Sequence, residues 1–282
     1  MILQKINRHA KQVSAEIISN KKLGPYHHMV FAVGDIAAHA KPGNFVAISV
    51  GGEASSMVLR RAFAIYRAID KGLLGGTIEL VVAPHGAGSK WLTNLNVGDF
   101  VDLIAPLGTA FGIPTSNANA MLIGGGYGSA PLFALAEILK NRGCRVDMVL
   151  GASTASKIYA PLEGKRSVSS LTLTTDDGSA GIHGQITESI PRLIREFGTE
   201  VIYSCGPMAM LESINKIAAD FDIVHQCSVE ESMACGIGVC MTCVVPMKID
   251  DEVKMIRTCI DGPVMDGSAI IWDRKNALEA MQ

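Results

Sequence analysis

Four of the seven cysteines lie in a short window near the end of the chain. Cys235, Cys240 and Cys243 fall within nine residues and Cys259 follows, which gives the spacing C-x4-C-x2-C-x15-C. Clustered cysteines in a cytoplasmic protein are more often metal ligands than disulfides, and an odd total fits a disulfide framework poorly. The spacing is the plant-type pattern by which four thiolates hold a 2Fe-2S cluster.

The residues between these cysteines favour the same interpretation. Gly236 and Gly238 would let the loop curl round a cluster and turn its N–H groups towards the sulfurs. The alternative is a structural zinc site, which also takes four cysteines. Zinc modules usually pair their cysteines at C-x2-C spacing on both sides, and here only Cys240 and Cys243 are so paired.

A glycine-rich segment, "LIGGGYGSAP", has the composition of a nucleotide-binding turn. An apolar run leads into Gly124, Gly125, Gly126 and Gly128, and a helix is predicted to open near Pro131. Glycines at a strand-to-helix turn let a pyrophosphate approach the backbone at the helix N-terminus. The alternative is a tight turn with a structural role alone.

A second segment, "YSCGPMAML", is predicted to close a later strand. Cys205, Gly206 and Pro207 would then lie at the carboxyl edge of the sheet, where ligands bind in such folds. A single buried cysteine is usually just a small apolar residue, so only the position of Cys205 argues for the catalytic role that we predict for it.

The first part of the chain offers two further phosphate-compatible features. "LRRAFAI" places two adjacent arginines on an otherwise apolar strand, and "HGAGSKWL" contains a turn with Gly88 and Ser89. Arginine is well suited to phosphate, yet solvated or salt-bridged side chains explain the arginine pair equally well on this evidence.

The elements that would position these residues show two different sequence patterns. Six closely spaced β-rich runs between residues 13 and 112 predict a small antiparallel barrel. After a polar linker at 113–120, strands alternate with helical patterns, which is typical of a doubly wound α/β domain. A last segment from about 223 carries the cysteines. The predicted domains are 1–113, 114–222 and 223–282.

Composition excludes several classes of function. A net charge of -2 over 282 residues does not indicate nucleic acid or an anionic membrane as partner. The N-terminal sequence lacks the apolar stretch of a signal peptide, and no run is long enough for a membrane helix, so we expect a cytoplasmic protein. A mean hydropathy of +0.28 is high for such a protein. It indicates a large core or a buried subunit interface.

Together these motifs resemble the electron-transfer subunits of bacterial NAD-dependent dihydroorotate dehydrogenases, in the ferredoxin–NADP reductase superfamily. Nearly the whole chain takes part in the resemblance, through "KPGNFV", "LRRAFAI", "GAGS", "APLG", "GGGYGSAP", "TTDDGSAG", "YSCGPMAML", "ESMACGIGVCMTCVV" and "CIDGPV" in the expected order. The resemblance implies an FAD-binding β-barrel, a nicotinamide-binding α/β domain and a C-terminal 2Fe-2S segment.

Carried over by position, the resemblance assigns residues to each cofactor. The first flavin segment would comprise Arg61, Ala62, Phe63 and Ala64, with Arg61 on the FAD pyrophosphate. Val81, Val82 and Ala83 would lie along the isoalloxazine or ribityl side, and Gly88 and Ser89 would hold phosphate. The nicotinamide would lie near Cys205 and Gly206, facing the flavin. Cys235, Cys240, Cys243 and Cys259 would hold the cluster.

One position departs from the family pattern. The flavin motif usually ends in serine, and here Ala64 lacks the hydroxyl that would contact the flavin near its reactive nitrogen. A neutral hydrogen bond contributes roughly 0.5–1.5 kcal/mol, so its loss would retune the flavin more readily than abolish binding.

The resemblance further implies a partner, because the chain would not itself oxidise dihydroorotate. An FMN-containing catalytic subunit would deliver electrons through the cluster to FAD and NAD+, in a heterotetramer with two of each subunit. NAD is favoured over NADP, since "LGASTASKIY" offers Lys157 but no arginine cluster for a 2′-phosphate.

Three alternatives stay open at this point. One is a related NAD(P)H-linked subunit that serves a ferredoxin or a hydrogenase; such relatives often have aspartate at the first cluster position, where this chain has Cys235. Another is a non-enzymatic binding module that carries zinc. The third is a paralogue that keeps the cluster but has lost FAD, as Ala64 would allow.

Overall fold

The computed structural model describes residues 9–52, 55–72 and 75–273. Within them the chain forms a closed six-stranded barrel, a seven-stranded sheet with helices on both faces, and a two-stranded hairpin. The predicted antiparallel barrel and doubly wound α/β domain are both confirmed. None of the helices in these ranges is long and apolar enough to cross a membrane.

The barrel is antiparallel throughout, with the strand order β1-β2-β5-β4-β3-β6. A short helix, α1, connects β5 to β6. The elements are β1 (Lys11–Leu23), β2 (Tyr26–Ala32), β3 (Phe45–Ile48), β4 (Arg61–Gly72), β5 (Gly75–Val82), α1 (Ala87–Thr93) and β6 (Phe100–Leu107).

Strand β5 explains how the barrel meets the rest of the molecule. Ile78, Leu80 and Val82 point into the barrel core, as the period of two requires. The alternate residues Glu79 and Val81 point outwards, and they are buried as well. Both faces of β5 are therefore covered, and burial does not distinguish them.

The α/β region has its central strands parallel and its helices on both faces. Helix α2 packs in one core, and α4 and α5 pack in the other. The elements are β7 (Asn119–Gly125), α2 (Ala130–Asn141), β8 (Arg145–Ala152), α3 (Pro161–Ser167), β9 (Ser170–Thr175), β10 (Ile182–His183), α4 (Ile186–Phe197), β11 (Val201–Cys205) and α5 (Met208–Asp220).

The sheet order β10-β9-β8-β7-β11-β12-β15 contains a reversal between β7 and β11. The chain builds the sheet from β7 to β10 in one direction and then returns to the other side of β7. Such a reversal leaves a crevice outside the carboxyl ends of the two strands, because the connections leave them in opposite directions. The glycine-rich turn after β7 and the Cys205–Gly206 turn after β11 both lie there.

The last part of the chain is joined to this sheet at both ends. It contains β12 (Val224–Ser228), β13 (Val244–Ile249), β14 (Glu252–Arg257) and β15 (Val264–Asp266). Strand β12 is parallel to β11, and β15 returns antiparallel to β12. Within the predicted segment 223–282, the cysteine loop and the β13–β14 hairpin are therefore inserted in the chain between β12 and β15, which both belong to the sheet.

The "DGPV" segment joins the cysteine loop to the barrel. Thr109 donates its N–H to the carbonyl of Gly262 at 2.6 Å, and Val229 donates to the carbonyl of Pro263 at 2.9 Å. A Cβ added at Gly108 would lie 2.6 Å from Pro263 Cδ. This packing requires glycine at position 108 and holds the end of β6 against the segment.

Candidate active site and metal centre

The four clustered cysteines lie close together as two pairs. The sulfurs of Cys235 and Cys240 are 3.3 Å apart. Cys243 and Cys259 are hydrogen-bonded to each other through their side chains, and Cys259 is also electrostatically coupled to Cys235. A tetrahedral metal with metal–sulfur bonds of about 2.3 Å holds its sulfurs about 3.8 Å apart, so each pair is suited to one metal atom.

The pairing distinguishes a two-iron cluster from a single ion. A 2Fe-2S cluster needs two cysteines on each of two irons, whereas a single zinc ion takes all four. The donor set therefore fits a two-iron cluster better than the single zinc ion considered above.

Hydrogen bonds from the loop support negative charge on these sulfurs. The hydroxyl and the N–H of Thr242 lower the pKa of Cys240 to about 6. The Cys240 N–H also points to Cys235 Sγ, 3.4 Å away. Gly236 and Gly238 have positive φ angles of 71° and 81°, as the loop interpretation predicted.

The inner cysteine pair faces the barrel. Cys243 and Cys259 are buried with Phe45, Ala47 and Leu107 in one apolar cluster. Burial raises the pKa of Cys259 to about 12, and a cation between the sulfurs would reverse that shift. The outer pair, Cys235 and Cys240, is only half-buried.

A cavity of about 630 Å³ lies between the barrel and the carboxyl ends of the parallel strands. It contains predicted site residues from three separate segments, namely Ala83, Gly125, Gly126, Gly128, Gly206 and Pro207. Its size and position are typical of a site for a small molecule or cofactor.

Glycines allow the two turns at the carboxyl ends of β7 and β11 to contact each other. A Cβ added at Gly128 would lie 3.0 Å from the Gly206 Cα, and one at Gly125 would lie 2.9 Å from Met210 Sδ. Gly124 has a different role, because its added Cβ would lie 2.4 Å from Ser129 Cβ. Gly124 therefore serves the packing of the turn, and the buried Pro131 packs into the core at the start of α2.

Cys205 precedes the cavity residue Gly206 but is not itself among the residues that line the cavity. Its side chain is buried, and burial raises the pKa of the thiol to about 12 despite a hydrogen bond from Ser228. The thiol is therefore neutral and is not suited to act as a nucleophile.

The predicted phosphate residues of the barrel come together outside this cavity. Arg60 forms an ion pair with Asp102 at 2.9 Å, whereas Arg61 has no ion pair among the residues that the structure describes. An added Cβ at Gly88 would lie 3.1 Å from Arg61 Nε, so the first turn of α1 adjoins this guanidinium. The Ser89 hydroxyl donates to the Gly86 carbonyl at 3.2 Å.

Strand β4 presents small side chains on its outer face beside the domain interface. Ala62 and Ala64 are exposed, Phe63 packs partly buried against the barrel core, and Tyr66 is covered by the α/β region. The predicted residues of β5 divide in the same way. Val81 and Ala83 face outwards, whereas the Val82 side chain lies inside the barrel and can offer only its backbone.

Several cavity residues were not predicted from the sequence. His85 packs its ring 5.5 Å from that of Tyr127, and Tyr127 is hydrogen-bonded to Glu230. Asp176 lines the cavity from the carboxyl end of β9. The adjacent pair Asp176–Asp177 after a β-rich run was a possible signal, because acidic residues at strand ends bind the ribose diol of NAD.

Comparisons with known proteins agree with this geometry. Residues 230–271 match the family model described as the iron-sulfur cluster binding domain of dihydroorotate dehydrogenase B. The chain is 31% identical over 266 residues to the dihydroorotate dehydrogenase B (NAD(+)) electron transfer subunit of Desulforamulus reducens, with 94% of this chain and 100% of the relative covered. The corresponding Listeria monocytogenes subunit is 33% identical over 255 residues, covering 90% of this chain and 96% of the relative.

Solved structures show the same fold. A chain of an NADH-dependent reduced ferredoxin-NADP oxidoreductase superposes with a TM-score of 0.80 at 27% identity, covering 95% of this chain and 93% of the other. The cytochrome b5 reductase domain of Ulva prolifera nitrate reductase shares the fold at a TM-score of 0.59 and 21% identity, over 74% and 93% of the two chains. From the similarity to curated relatives over nearly its whole length, the chain belongs to the family of dihydroorotate dehydrogenase B (NAD(+)) electron transfer subunits.

Proposed function

We propose that this chain passes electrons between a dihydroorotate dehydrogenase catalytic subunit and NAD+, and so serves pyrimidine biosynthesis. FAD on the barrel and a 2Fe-2S cluster in the cysteine loop would be its resident cofactors. When bound, FAD exchanges a hydride with nicotinamide and single electrons with an iron–sulfur centre, which is the conversion the reaction requires.

One observation carries the proposal: the flavin segment and the cysteine loop contact the same barrel strand. In β3, Phe45 pairs with Ala64 and Ala47 pairs with Ala62. The same Phe45 and Ala47 are buried against Cys243 and Cys259. A flavin on the outer face of β4 and a cluster in the loop would thus be separated by little more than one strand.

The residues have distinct tasks in this scheme. Arg61, Gly88 and Ser89 would bind the FAD phosphates, and the exposed Ala62 and Ala64 would leave room for the flavin on β4. Gly125, Gly126, Gly128 and Gly206 would let the nicotinamide dinucleotide approach the backbone at the ends of β7 and β11. The neutral Cys205 would support the nicotinamide from below without reacting itself.

The partner is proposed to be an FMN-containing catalytic subunit, in a heterotetramer with two copies of each chain. The outer cysteine pair supports electron exchange with another protein, since it is only half-buried and lies outside the apolar cluster that covers the inner pair. A second candidate partner is a ferredoxin-linked complex. It is supported by the 0.80 TM-score to a chain of the ferredoxin-NADP oxidoreductase structure.

The test is an anaerobic absorbance titration of the purified full chain. We expect flavin and iron–sulfur bands that both bleach on addition of NADH. Replacing Cys259→Ser should remove the iron–sulfur bands and leave flavin reduction by NADH, whereas the control Cys144→Ser, at a buried cysteine in the α/β core, should change neither. A colourless chain containing zinc would refute the proposal.

The partner can be identified in the same preparation. Dihydroorotate together with an FMN-containing catalytic subunit should yield NADH when NAD+ is present. If reduced ferredoxin yields NADH and dihydroorotate with its catalytic subunit does not, the second candidate is correct.

A further inference from the structure

The segment that follows β8, residues 153–160, is held by the barrel; it is called the β8 loop below. The loop belongs to the α/β region and lines the cavity through Ser153 and Lys157. Its last residue, Ala160, has φ 44° and ψ 49°, a left-handed conformation that is unfavourable for a residue with a Cβ. Such conformations persist where the surrounding contacts over-determine them.

The first set of contacts joins β4 to the helix that follows the loop. The hydroxyl of Tyr66 donates to the carboxylate of Glu163 on α3. The neighbouring Arg67 donates to Glu163 Oε1 at 2.9 Å and to Glu137 Oε1 on α2 at 2.6 Å. One barrel strand therefore binds two helices of the α/β region through a single charged group.

Aromatic packing buries the rings on one side of this junction, while the Glu163 carboxylate stays partly exposed. The Tyr66 ring lies edge-on to that of Tyr159 in the β8 loop, with centroids 5.6 Å apart, and 5.7 Å from the ring of Phe133. Tyr66 and Tyr159 are only 2% and 5% exposed. Burial raises the pKa of Tyr66, so its hydroxyl stays a neutral donor to Glu163.

A second contact reaches the loop directly. Tyr26 on β2 donates its hydroxyl to the backbone carbonyl of Lys157 at 2.8 Å. The Lys157 ammonium in turn donates to Ser153 Oγ at 3.0 Å, which closes the loop on itself. The loop is thus attached to the barrel at its middle through Lys157 and near its end through Tyr159, and the helix that follows is attached through Glu163.

We propose that Tyr26 and Tyr66 are positioning residues, which hold the β8 loop in the conformation that binds the nicotinamide dinucleotide. This rests on the proposed binding of NAD(H) in the cavity. A loop held in place before binding loses less conformational freedom when the ligand arrives, so the dinucleotide binds more tightly. The same bonds hold the two regions that carry the flavin and the nicotinamide in one relative orientation.

The test compares two matched variants, Tyr66→Phe and Tyr203→Phe, in the full chain with its bound cofactors. Tyr203 is also buried, and its hydroxyl donates to the Gly112 carbonyl at 2.9 Å, away from the β8 loop. Each substitution removes one hydroxyl and keeps the ring. NAD+ affinity is measured by isothermal titration calorimetry, and the midpoint of thermal unfolding and the flavin spectrum are recorded alongside.

We expect Tyr66→Phe to weaken NAD+ binding by about threefold and Tyr203→Phe to leave it unchanged, since one hydrogen bond supplies roughly two- to tenfold. Glu163→Ala should weaken NAD+ binding by about tenfold, because both barrel partners are lost, and Glu163→Gln should recover part of the loss. Equal NAD+ affinity in Tyr66→Phe and Tyr203→Phe would overturn this inference alone. An unmodified chain that binds no NAD+ would overturn the proposed function and this inference with it.

Discussion

His225 is expected to make the stability of the chain depend strongly on pH. It lies on β12, is 2% exposed, and has Nε2 at 2.7 Å from Ser204 Oγ. Its Nδ1 lies 3.3 Å from Asn215 Oδ1, so Nδ1 carries the proton and Nε2 accepts from the serine. Burial lowers the pKa of His225 to about 4, although the nearby Asp266 acts in the opposite direction.

The sign follows from comparing the folded and unfolded chains. An unfolded histidine takes up a proton below about pH 6.5, whereas folded His225 does so only near pH 4. Between these values the unfolded chain binds more protons, so the free energy of unfolding decreases as the pH falls. The loss amounts to about 2 kcal/mol at pH 5 and about 3 kcal/mol at pH 4, relative to neutral pH.

The assay is urea denaturation of the unmodified chain and of His225→Gln between pH 8 and pH 4. Other groups titrate in this range, so the informative quantity is the difference between the two chains. The unmodified chain should lose about 2 kcal/mol more than the variant by pH 5. His183→Gln, at an exposed histidine, is the control and should follow the unmodified chain. Parallel curves for the unmodified chain and His225→Gln would refute the reasoning.

Two further predictions concern the cofactor sites. Gly88→Val should lower the FAD content of the purified chain severalfold, because the new side chain would displace the Arg61 guanidinium. The control Gly86→Ala, which has open space at its Cβ, should keep the full FAD content. The FAD content is measured after release by denaturation, and full FAD content in Gly88→Val would contradict the assignment. Asp176→Asn should lower the KM for NADPH by about tenfold, since a carboxylate in the cavity repels a 2′-phosphate. Asp177→Asn, which removes the same charge one residue away where the side chain caps Ser179, should change the KM little, and equal effects of the two substitutions would exclude a specific role for Asp176.

Much of the architecture was predictable because it depends on local patterns. Six closely spaced β-rich runs predict a barrel, and the later alternation of strands with helices predicts a parallel sheet. The outward face of β5 was harder to predict. Glu79 and Val81 are covered only because the α/β region packs there, and nothing within the strand indicates that contact.

The cavity contains some residues that were predicted from the sequence and others that were not. The glycine turns were predicted because a backbone turn is a local property. Tyr127, Glu230 and Asp176 were missed, and they come from different segments that the sheet order brings to one cavity. Tyr127 lies inside the predicted glycine turn and Asp176 begins an acidic pair after a β-rich run, so both had a local signal, whereas Glu230 had none.

The sequence by itself singled out the four cysteines that we propose hold the cluster, because their spacing and the two loop glycines are local properties. Only the tertiary structure decided that Cys235 pairs with Cys240 and that Cys243 pairs with Cys259. It also decided that the inner pair packs against Phe45 of β3, the residue that pairs with Ala64 on the neighbouring strand. The contact between the inner pair and β3 joins segments far apart in the chain, and it depends on how the barrel, the sheet and the loop pack together rather than on the preferences of any one segment.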